Sequence, residues 1–511
     1  MNLLRIERAL ISVYDKTNLL SFVKELRNFG ITIYASGGTY NFLKNNGFIV
    51  NSTEELTGIV SILDGRVKTL HPSIHASILA DKGNENHLKQ LQEMNLNPID
   101  LVVVNFYPFE KVVEQKNISE LDIIENIDIG GPTLVRSAAK NFNSVIVVTE
   151  PGQYDVLIEE LNFNNGFVTL NTRRKFAEKA FQKLTKYDIE ISNYFNKDNF
   201  FNLSLNLEKT LRYGENPHQF GWLYGEFESI FNCIHGKELS YNNILDITSA
   251  MDVVLEFDEI ACAIIKHNSP CGVALGNSTF EAYEKALKCD PVSAFGGIVA
   301  FNKPIDEDTA KKLNEIFLEL ILLPEISDSV LSILKIKKDR RLVIYSIDKI
   351  KHWQNRYTKE FRSITGGVVV QTKDLVSIVD DKIQIVSDSI PDDKELDDMK
   401  FAFKVSKHVK SNSIVIAKGR KTIGICGGQT SRVDSVRFAI FRAKQFNHNL
   451  KDAVMASDGF FPFYDGIELA AKEGIKAIIQ PGGSIRDNEI KDFVNKNKIK
   501  MAFTNIRHFK H

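Results

Sequence analysis

Ile31-Thr32-Ile33-Tyr34-Ala35-Ser36-Gly37-Gly38-Thr39-Tyr40 passes from a β-branched run through a pair of glycines into residues at helical spacing. That order predicts a strand, a tight turn and a helix. The same alternation surrounds it. Upstream, Leu10-Ile11-Ser12-Val13 reads as a strand. Leu19, Leu20, Phe22, Val23, Leu26 and Phe29 then recur at helical spacing, and Gly30 is placed as a C′ residue. Downstream, Tyr40 to Asn46 reads as helix. Leu101-Val102-Val103-Val104 and Val145-Ile146-Val147-Val148 read as buried strands. Continuous apolar strands alternating with helices predict a parallel sheet covered on both faces, Rossmann-like in outline.

The chain has 511 residues, more than one core of about 250–300 residues holds, so more than one domain is expected. Asn193, Asn196, Asn199 and Asn202, with Phe200 and Phe201 among them, mark a connection. The expected domains are 1–198, with its sheet in about the first 150 residues, and 205–511. The second mixes strands (Cys262 to Lys266, Ile414 to Ala417, Lys476 to Gln480) with amphipathic helices. With 64 Lys+Arg against 65 Asp+Glu, the chain lacks the basic excess of a general nucleic-acid binder. The first residues meet charges before any apolar run, unlike a signal peptide, and no stretch reads as a membrane span. Five scattered cysteines read as free thiols of a reducing cytoplasm, not as a disulfide framework or zinc site.

Three segments of the first domain suit an anion. In Ser36-Gly37-Gly38-Thr39, the glycines let backbone N–H groups converge, Ser36 and Thr39 add hydroxyls, and a helix N-terminus follows. The stretch also fits a plain tight turn with Thr39 as N-cap. In Gly65-Arg66-Val67-Lys68-Thr69-Leu70-His71-Pro72, an extended chain would put Arg66 and Lys68 on one face beside Thr69. Ile127-Asp128-Ile129-Gly130-Gly131-Pro132-Thr133 opens a helix with Lys140 further along, and Tyr107 ends a buried strand at the ligand-binding edge of such sheets.

Together with Asp15-Lys16, these motifs closely resemble the bifunctional purine-biosynthesis family that carries IMP cyclohydrolase and AICAR transformylase, whose cyclohydrolase half is methylglyoxal-synthase-like. The resemblance runs on through Leu211-Arg212-Tyr213-Gly214-Glu215-Asn216-Pro217-His218-Gln219, Ile265-Lys266-His267-Asn268-Ser269-Pro270-Cys271-Gly272, Asp290-Pro291-Val292-Ser293-Ala294-Phe295-Gly296-Gly297, Gly428-Gln429-Thr430-Ser431-Arg432, Ser457-Asp458-Gly459-Phe460-Phe461-Pro462-Phe463 and Arg507-His508-Phe509-Lys510-His511. Ser269 stands where the family usually has Asn, and Asn505 where bacterial relatives often have Gly. The resemblance implies a second, duplicated domain of cytidine-deaminase-like fold. It also implies formyl transfer from 10-formyltetrahydrofolate to AICAR, followed by closure of FAICAR to IMP.

For transfer it implies Lys266 and His267 as catalytic groups, and the chemistry agrees: an imidazole can take the amine proton while a cation meets the oxyanion. Both serve one site only if the chain bends, and Pro270 and Gly272 are the expected bend. Arg212 and Arg507 are the expected phosphate clamps. Tyr213, Asn243, Phe295, Gly296, Glu319, Asn412 and Arg432 match positions around the nucleotide. Phe460, Pro462 and Phe463 make a wall for the pteridine, with Asp465 nearby and His511 closing the tail. For ring closure it implies Lys68, Tyr107, Asp128 and Lys140 as catalytic groups, acid and base undivided, with Ser12, Lys16, Ser36, Gly37, Gly38, Thr39, Arg66 and Thr69 holding the substrate. No tightly bound cofactor and no zinc are expected, because no second Cys follows Pro270-Cys271 at deaminase spacing. A cytoplasmic homodimer with transformylase sites across its interface is implied, with no nucleic-acid or membrane partner. A methylglyoxal-synthase-like phosphate lyase, a non-catalytic nucleotide-binding module and a zinc deaminase are the alternative readings.

Overall fold

Every residue of Leu101–Asn105 is buried, as a strand covered on both faces must be. In the computed structural model, which describes residues 2–63, 66–115, 117–195, 201–377 and 382–511, it belongs to a five-stranded parallel sheet. The order is Asn51–Ser52, Thr32–Ala35, Arg8–Val13, Leu101–Asn105, Ile146–Val148. Helices Leu19–Asn28 and Tyr154–Phe163 cover one face; Pro72–Leu79, Gly130–Lys140 and Leu170–Phe195 cover the other. Gly30 turns the chain from helix into strand at φ 76°.

Three local expectations change. The helix after the glycine pair starts at Gly37, so the N-cap position falls on Ser36, not Thr39. Thr39 sits in the first turn. Its hydroxyl accepts from Val13 N (3.0 Å) and donates to Val13 O (3.1 Å), fastening the helix to the neighbouring strand end. The basic stretch is not extended: Ile62 bridges Val67 and Arg66 N donates to Leu63 O at 3.0 Å, so Arg66 lies in a turn. Asn193 lies inside the helix Leu170–Phe195, whose buried Arg173, Phe176, Ala177, Ala180, Leu184 and Tyr187 keep helical spacing. Asp64, Gly65, Asn196, Asn199, Phe200 and the expected boundary at 198 lie outside the described residues.

The chain divides into two units, Met1–Ser204 and Leu205–His511. The second holds two six-stranded sheets. The first runs Phe231–His235, Arg341–Tyr345, Leu320–Leu323, Ile298–Phe301, Ala261–Lys266, Ser269–Leu275. The other runs Gln384–Ile385, Lys500–Phe503, Ala477–Gln480, Val454–Ser457, Ile414–Ala417, Thr422–Cys426. In both, the strand order by chain position is first, sixth, fifth, fourth, second, third, with the same pattern of parallel and antiparallel pairs. The unit is a duplication. Its sheets meet edge to edge through an antiparallel bridge, Ala274 with Lys421. Helices Tyr241–Val254 and Asp393–Ser406 stand in equivalent places and share one core with both sheets.

Beside that core, Glu256 Oε1 accepts from Lys407 Nζ (2.7 Å) and His408 Nε2 (3.0 Å). Burial pushes the carboxyl up, but His408 and Lys407 outweigh it and hold its pKa at about 2, against 4.5 for the free side chain. A folded-state pKa below the unfolded one stabilises above the unfolded pKa and is lost as pH falls through the folded one. The contribution is about 3 kcal/mol. Glu256→Gln should therefore flatten the acid limb of the unfolding free energy between pH 4.5 and 2, measured by denaturant titration across that range. A variant with the wild-type acid slope would refute the assignment.

Candidate active sites

A cleft of about 710 Å³ opens at the carboxyl edge of the five-stranded sheet. Open parallel sheets bind ligands at that edge. Two helices begin on its walls, Gly37–Asn45 and Gly130–Lys140, so two positive helix ends face one space. Lys16, Arg66 and Lys68 add formal charge. Ser36 Oγ donates to Ser12 Oγ at 2.7 Å. A Cβ on Gly130 would meet Thr69 Oγ1 at 2.8 Å, so that glycine permits close approach by the basic loop, while Gly37, 3.5 Å from Lys68 Nζ at the Cβ position, is set apart by its φ of 46°. Asn105 binds the loop above: its Oδ1 accepts from Tyr14 N (2.7 Å) and Asp15 N (2.9 Å).

Asp128 sits at the mouth of the second helix, where its Oδ1 accepts from Gly131 N at 2.8 Å. Burial raises its carboxyl pKa, with the Gly131 and Gly130 N–H groups pulling the other way. A carboxyl moved toward neutrality suits proton transfer. Its backbone N–H donates to Tyr187 Oη (2.7 Å), a phenol that burial pushes up to about 12. Tyr107 stands edge-on to Tyr14, centroids 4.4 Å apart. Arg66 Nε donates to Glu125 Oε2 at 3.2 Å, with a second contact from the guanidinium to Oε1. Both side chains are more than half exposed. Such a pair is worth under about 1 kcal/mol, so an anionic ligand can take the guanidinium over.

Eleven of the twelve residues expected for this site come together: Ser12, Lys16, Ser36, Gly37, Gly38, Thr39, Arg66, Lys68, Thr69, Tyr107 and Asp128 line the cleft, with Gly131 of the Asp128 motif beside them. Lys140 does not. It ends the helix whose first residue forms the wall, about 15 Å along the axis at 1.5 Å per residue, and is exposed there. Asn105, Glu125 and Tyr187 were not expected. Asn105 ends a buried strand at the ligand edge, which is a usable signal. Tyr187 meets Asp128 across 59 residues of chain and leaves none.

In the second unit the expected residues form two sets. The first surrounds the hairpin between Ala261–Lys266 and Ser269–Leu275. The bend falls on His267 and Asn268, at φ 54° and 60°. Pro270 and Gly272 do not make it; they lie inside the returning strand. Gly272 is needed because a Cβ would strike Ala286 O at 2.0 Å. Lys266 Nζ donates to Phe295 O at 2.7 Å. Phe295 is exposed and leans on Phe317, and Gly296 donates to Phe317 O. Asn243 is buried. Its Oδ1 completes a capping box with Ser240 and its Nδ2 donates to Glu319 Oε2 at 3.0 Å, so it braces Glu319. Arg212 lies over the Tyr213 ring, and Glu215 O of that segment accepts from Asn242.

The second set lies where Ile414–Ala417 begins and Val454–Ser457 ends. Arg432 is buried and donates to Asp458 Oδ1, Ser457 Oγ (2.6 Å) and Asn412 Oδ1 (2.9 Å). Asp458 is wholly buried. Breaking a buried pair costs about 3–5 kcal/mol, so Arg432 frames the site, in contrast with Arg66. Arg507 is exposed and stacks 4.3 Å over Phe509, whose ring faces His511. Gly459 permits this: a Cβ would meet both Arg432 Nη2 and Phe509 at 2.6 Å. Phe460, Pro462 and Phe463 are exposed, Phe461 is core, and Arg486 covers Phe463 at 4.5 Å. Asp465 opens the next helix. The antiparallel edge bridge brings the His267 end of one sheet and the Asn412 end of the other to the same edge. Among the described residues no hydrogen bond, ion pair or ring contact joins the two sets. No group of three or more His, Cys, Asp or Glu is placed there to hold a metal. Cys271, pushed by burial to about 12, stays a thiol.

One anion-suited cleft on a parallel sheet, and one His-Lys turn on a duplicated sheet, define a two-site α/β enzyme. The chain belongs to the AICARFT/IMPCHase bienzyme family, whose model matches residues 138–442, with an MGS-like domain matched at 18–133. Relatives named bifunctional purine biosynthesis protein PurH include that of Caldicellulosiruptor saccharolyticus, 47% identical over 99% of this chain and 100% of its own. That of Persephonella marina is 48% identical over 99% of each chain. That of Bacillus mycoides is 46% identical over 99% of this chain and 100% of its own.

Proposed function

We propose that the second unit transfers the formyl group of 10-formyltetrahydrofolate to the 5-amino group of AICAR, and that the first closes the product, FAICAR, to IMP with loss of water. One observation carries this reading: each unit holds its own polar site, and the likeness to bifunctional relatives runs through both. In transfer, the amine attacks the formyl carbon, His267 takes the amine proton, and the C–N bond to the folate breaks as that proton passes to the departing folate nitrogen. Lys266 exchanges its neutral acceptor, Phe295 O, for the oxyanion, a stronger charge-assisted bond. Arg212 and Arg507 hold the phosphate, Asn412 and Arg432 frame the nucleotide, and Phe460, Pro462 and Phe463 meet the pteridine.

In closure, the carboxamide nitrogen attacks the formyl carbon within one molecule, so positioning supplies much of the rate. Helix N-termini, Lys16 and Arg66 anchor the phosphate, Lys68 polarises the formyl oxygen, and Tyr107 and Asp128 move protons. A cytoplasmic homodimer, in which one copy's His267 turn completes the other's Arg507 set, accounts for two sets that share an edge without touching. A phosphate lyase would leave the second unit without a role. The purified chain, given AICAR and 10-formyltetrahydrofolate, should release tetrahydrofolate and IMP in equal amounts. Formation of neither product would refute the proposal.

A further inference from the structure

The His267 turn is one that ordinary residues resist. Two consecutive positive φ values are the geometry of a two-residue hairpin turn, where glycine is favoured and a side chain such as that of His is uncommon. Such a conformation persists only where its surroundings over-determine it. Helix Tyr241–Val254 supplies the constraint. Asp246 Oδ1 accepts from Asn268 N at 2.6 Å, and Ser249 Oγ, one turn on, lies 3.4 Å from Asn268 Oδ1. Burial raises the Asp246 carboxyl pKa, while the Asn268 N–H and the nearby His267 lower it.

The other half of the unit repeats the device. Asp398, sixth residue of Asp393–Ser406 as Asp246 is sixth of Tyr241–Val254, accepts from Gly419 N (2.7 Å) and Arg420 N (2.5 Å). Those residues form the hairpin between Ile414–Ala417 and Thr422–Cys426, again at positive φ. That turn, Lys418-Gly419-Arg420-Lys421, carries no histidine. One brace therefore serves two turns, and only one of them presents His267.

We propose that Asp246 is a positioning residue for formyl transfer, fixing the His267 imidazole by clamping the Asn268 backbone behind it. The proposal rests on the reading of His267 as the base. An acceptor placed this way sets where the imidazole stands, and a misplacement of about 1 Å at a reacting group costs about 100-fold. It touches no substrate, so binding is left alone.

The test compares steady-state formyl transfer in the full chain. Asp246→Ala should lower kcat at least about 30-fold with KM for AICAR and folate within about threefold. Asp246→Asn keeps an acceptor oxygen in place and should recover kcat to within about fivefold of wild type. Asp246→Glu, which displaces the acceptor by one methylene, should lose about tenfold and carries the test if the Ala variant does not fold. Asp398→Ala should lower the melting temperature while leaving kcat within about twofold. An unchanged kcat in Asp246→Ala or Asp246→Glu would overturn the proposal. So would failure of Asn to recover it, or equal kcat losses in the Asp246 and Asp398 variants. His267→Ala run alongside separates the two claims. If that variant transfers formyl at close to the wild-type rate, the base assignment fails; if it is impaired and Asp246→Ala is not, only the positioning role fails.

Discussion

Replacing His267 by Ala is expected to lower kcat for formyl transfer by about 10²–10⁴-fold, the range that general-base catalysis supplies, while FAICAR closure stays within about twofold of wild type. The acceptor amine is aromatic and weakly nucleophilic, so it attacks only as its proton leaves. The described groups at that turn divide the work. Lys266 donates to Phe295 O and, as a cation, takes no proton. Asp246 is occupied by the Asn268 N–H. The imidazole of His267 is left for the proton. The substitution keeps Cβ, so the positive-φ turn loses no more than it already tolerates. Separate assays settle it: tetrahydrofolate release for transfer, and IMP formation from supplied FAICAR for closure. Equal loss of both activities would contradict the division into two sites.

Much of this was legible in the chain, and what was not has a common cause. Apolar runs such as Leu101 to Val104 became buried parallel strands because a strand covered on both faces admits little else. The Ser36-Gly37-Gly38 turn lies at the cleft, where the strand-to-helix turn needs the positive φ that Gly37 supplies. Thr39 was harder. Cap position depends on where the helix starts, and a tertiary bond to Val13 used the hydroxyl elsewhere. The sequence points to Pro270 and Gly272, the usual turn formers, for the hairpin bend. A helix carboxylate instead makes a left-handed His267 tolerable, and Gly272 serves close packing. The resemblance places Arg432 around the nucleotide without saying how it acts, and its burial against Asp458 makes it a frame. Asp246, Tyr187 and Asn105 each act on a residue more than twenty positions away, and no local pattern encodes such a pairing.

Lys68→Met should produce the reciprocal phenotype. Closure is expected to slow by about 10²–10³-fold, as when one donor to a developing oxyanion is removed, while formyl transfer continues and FAICAR accumulates. Geometry singles out Lys68 among the cations of the cleft. Its Nζ lies against Gly37, at the start of one helix, with Thr69 next in sequence packed on Gly130 at the start of the other. Charge that develops between two helix ends falls within its reach. Methionine preserves most of the apolar stem and removes the charge, so the segment from Arg66 to Thr69 keeps its packing. Arg66→Gln is the contrasting variant. Its guanidinium is already shared with exposed Glu125, so its loss should raise KM for FAICAR with little change in kcat. The two outcomes divide binding from chemistry in one loop. Should Lys68→Met raise KM alone, as Arg66→Gln does, Lys68 would be a second phosphate anchor and the formyl oxygen would need another donor.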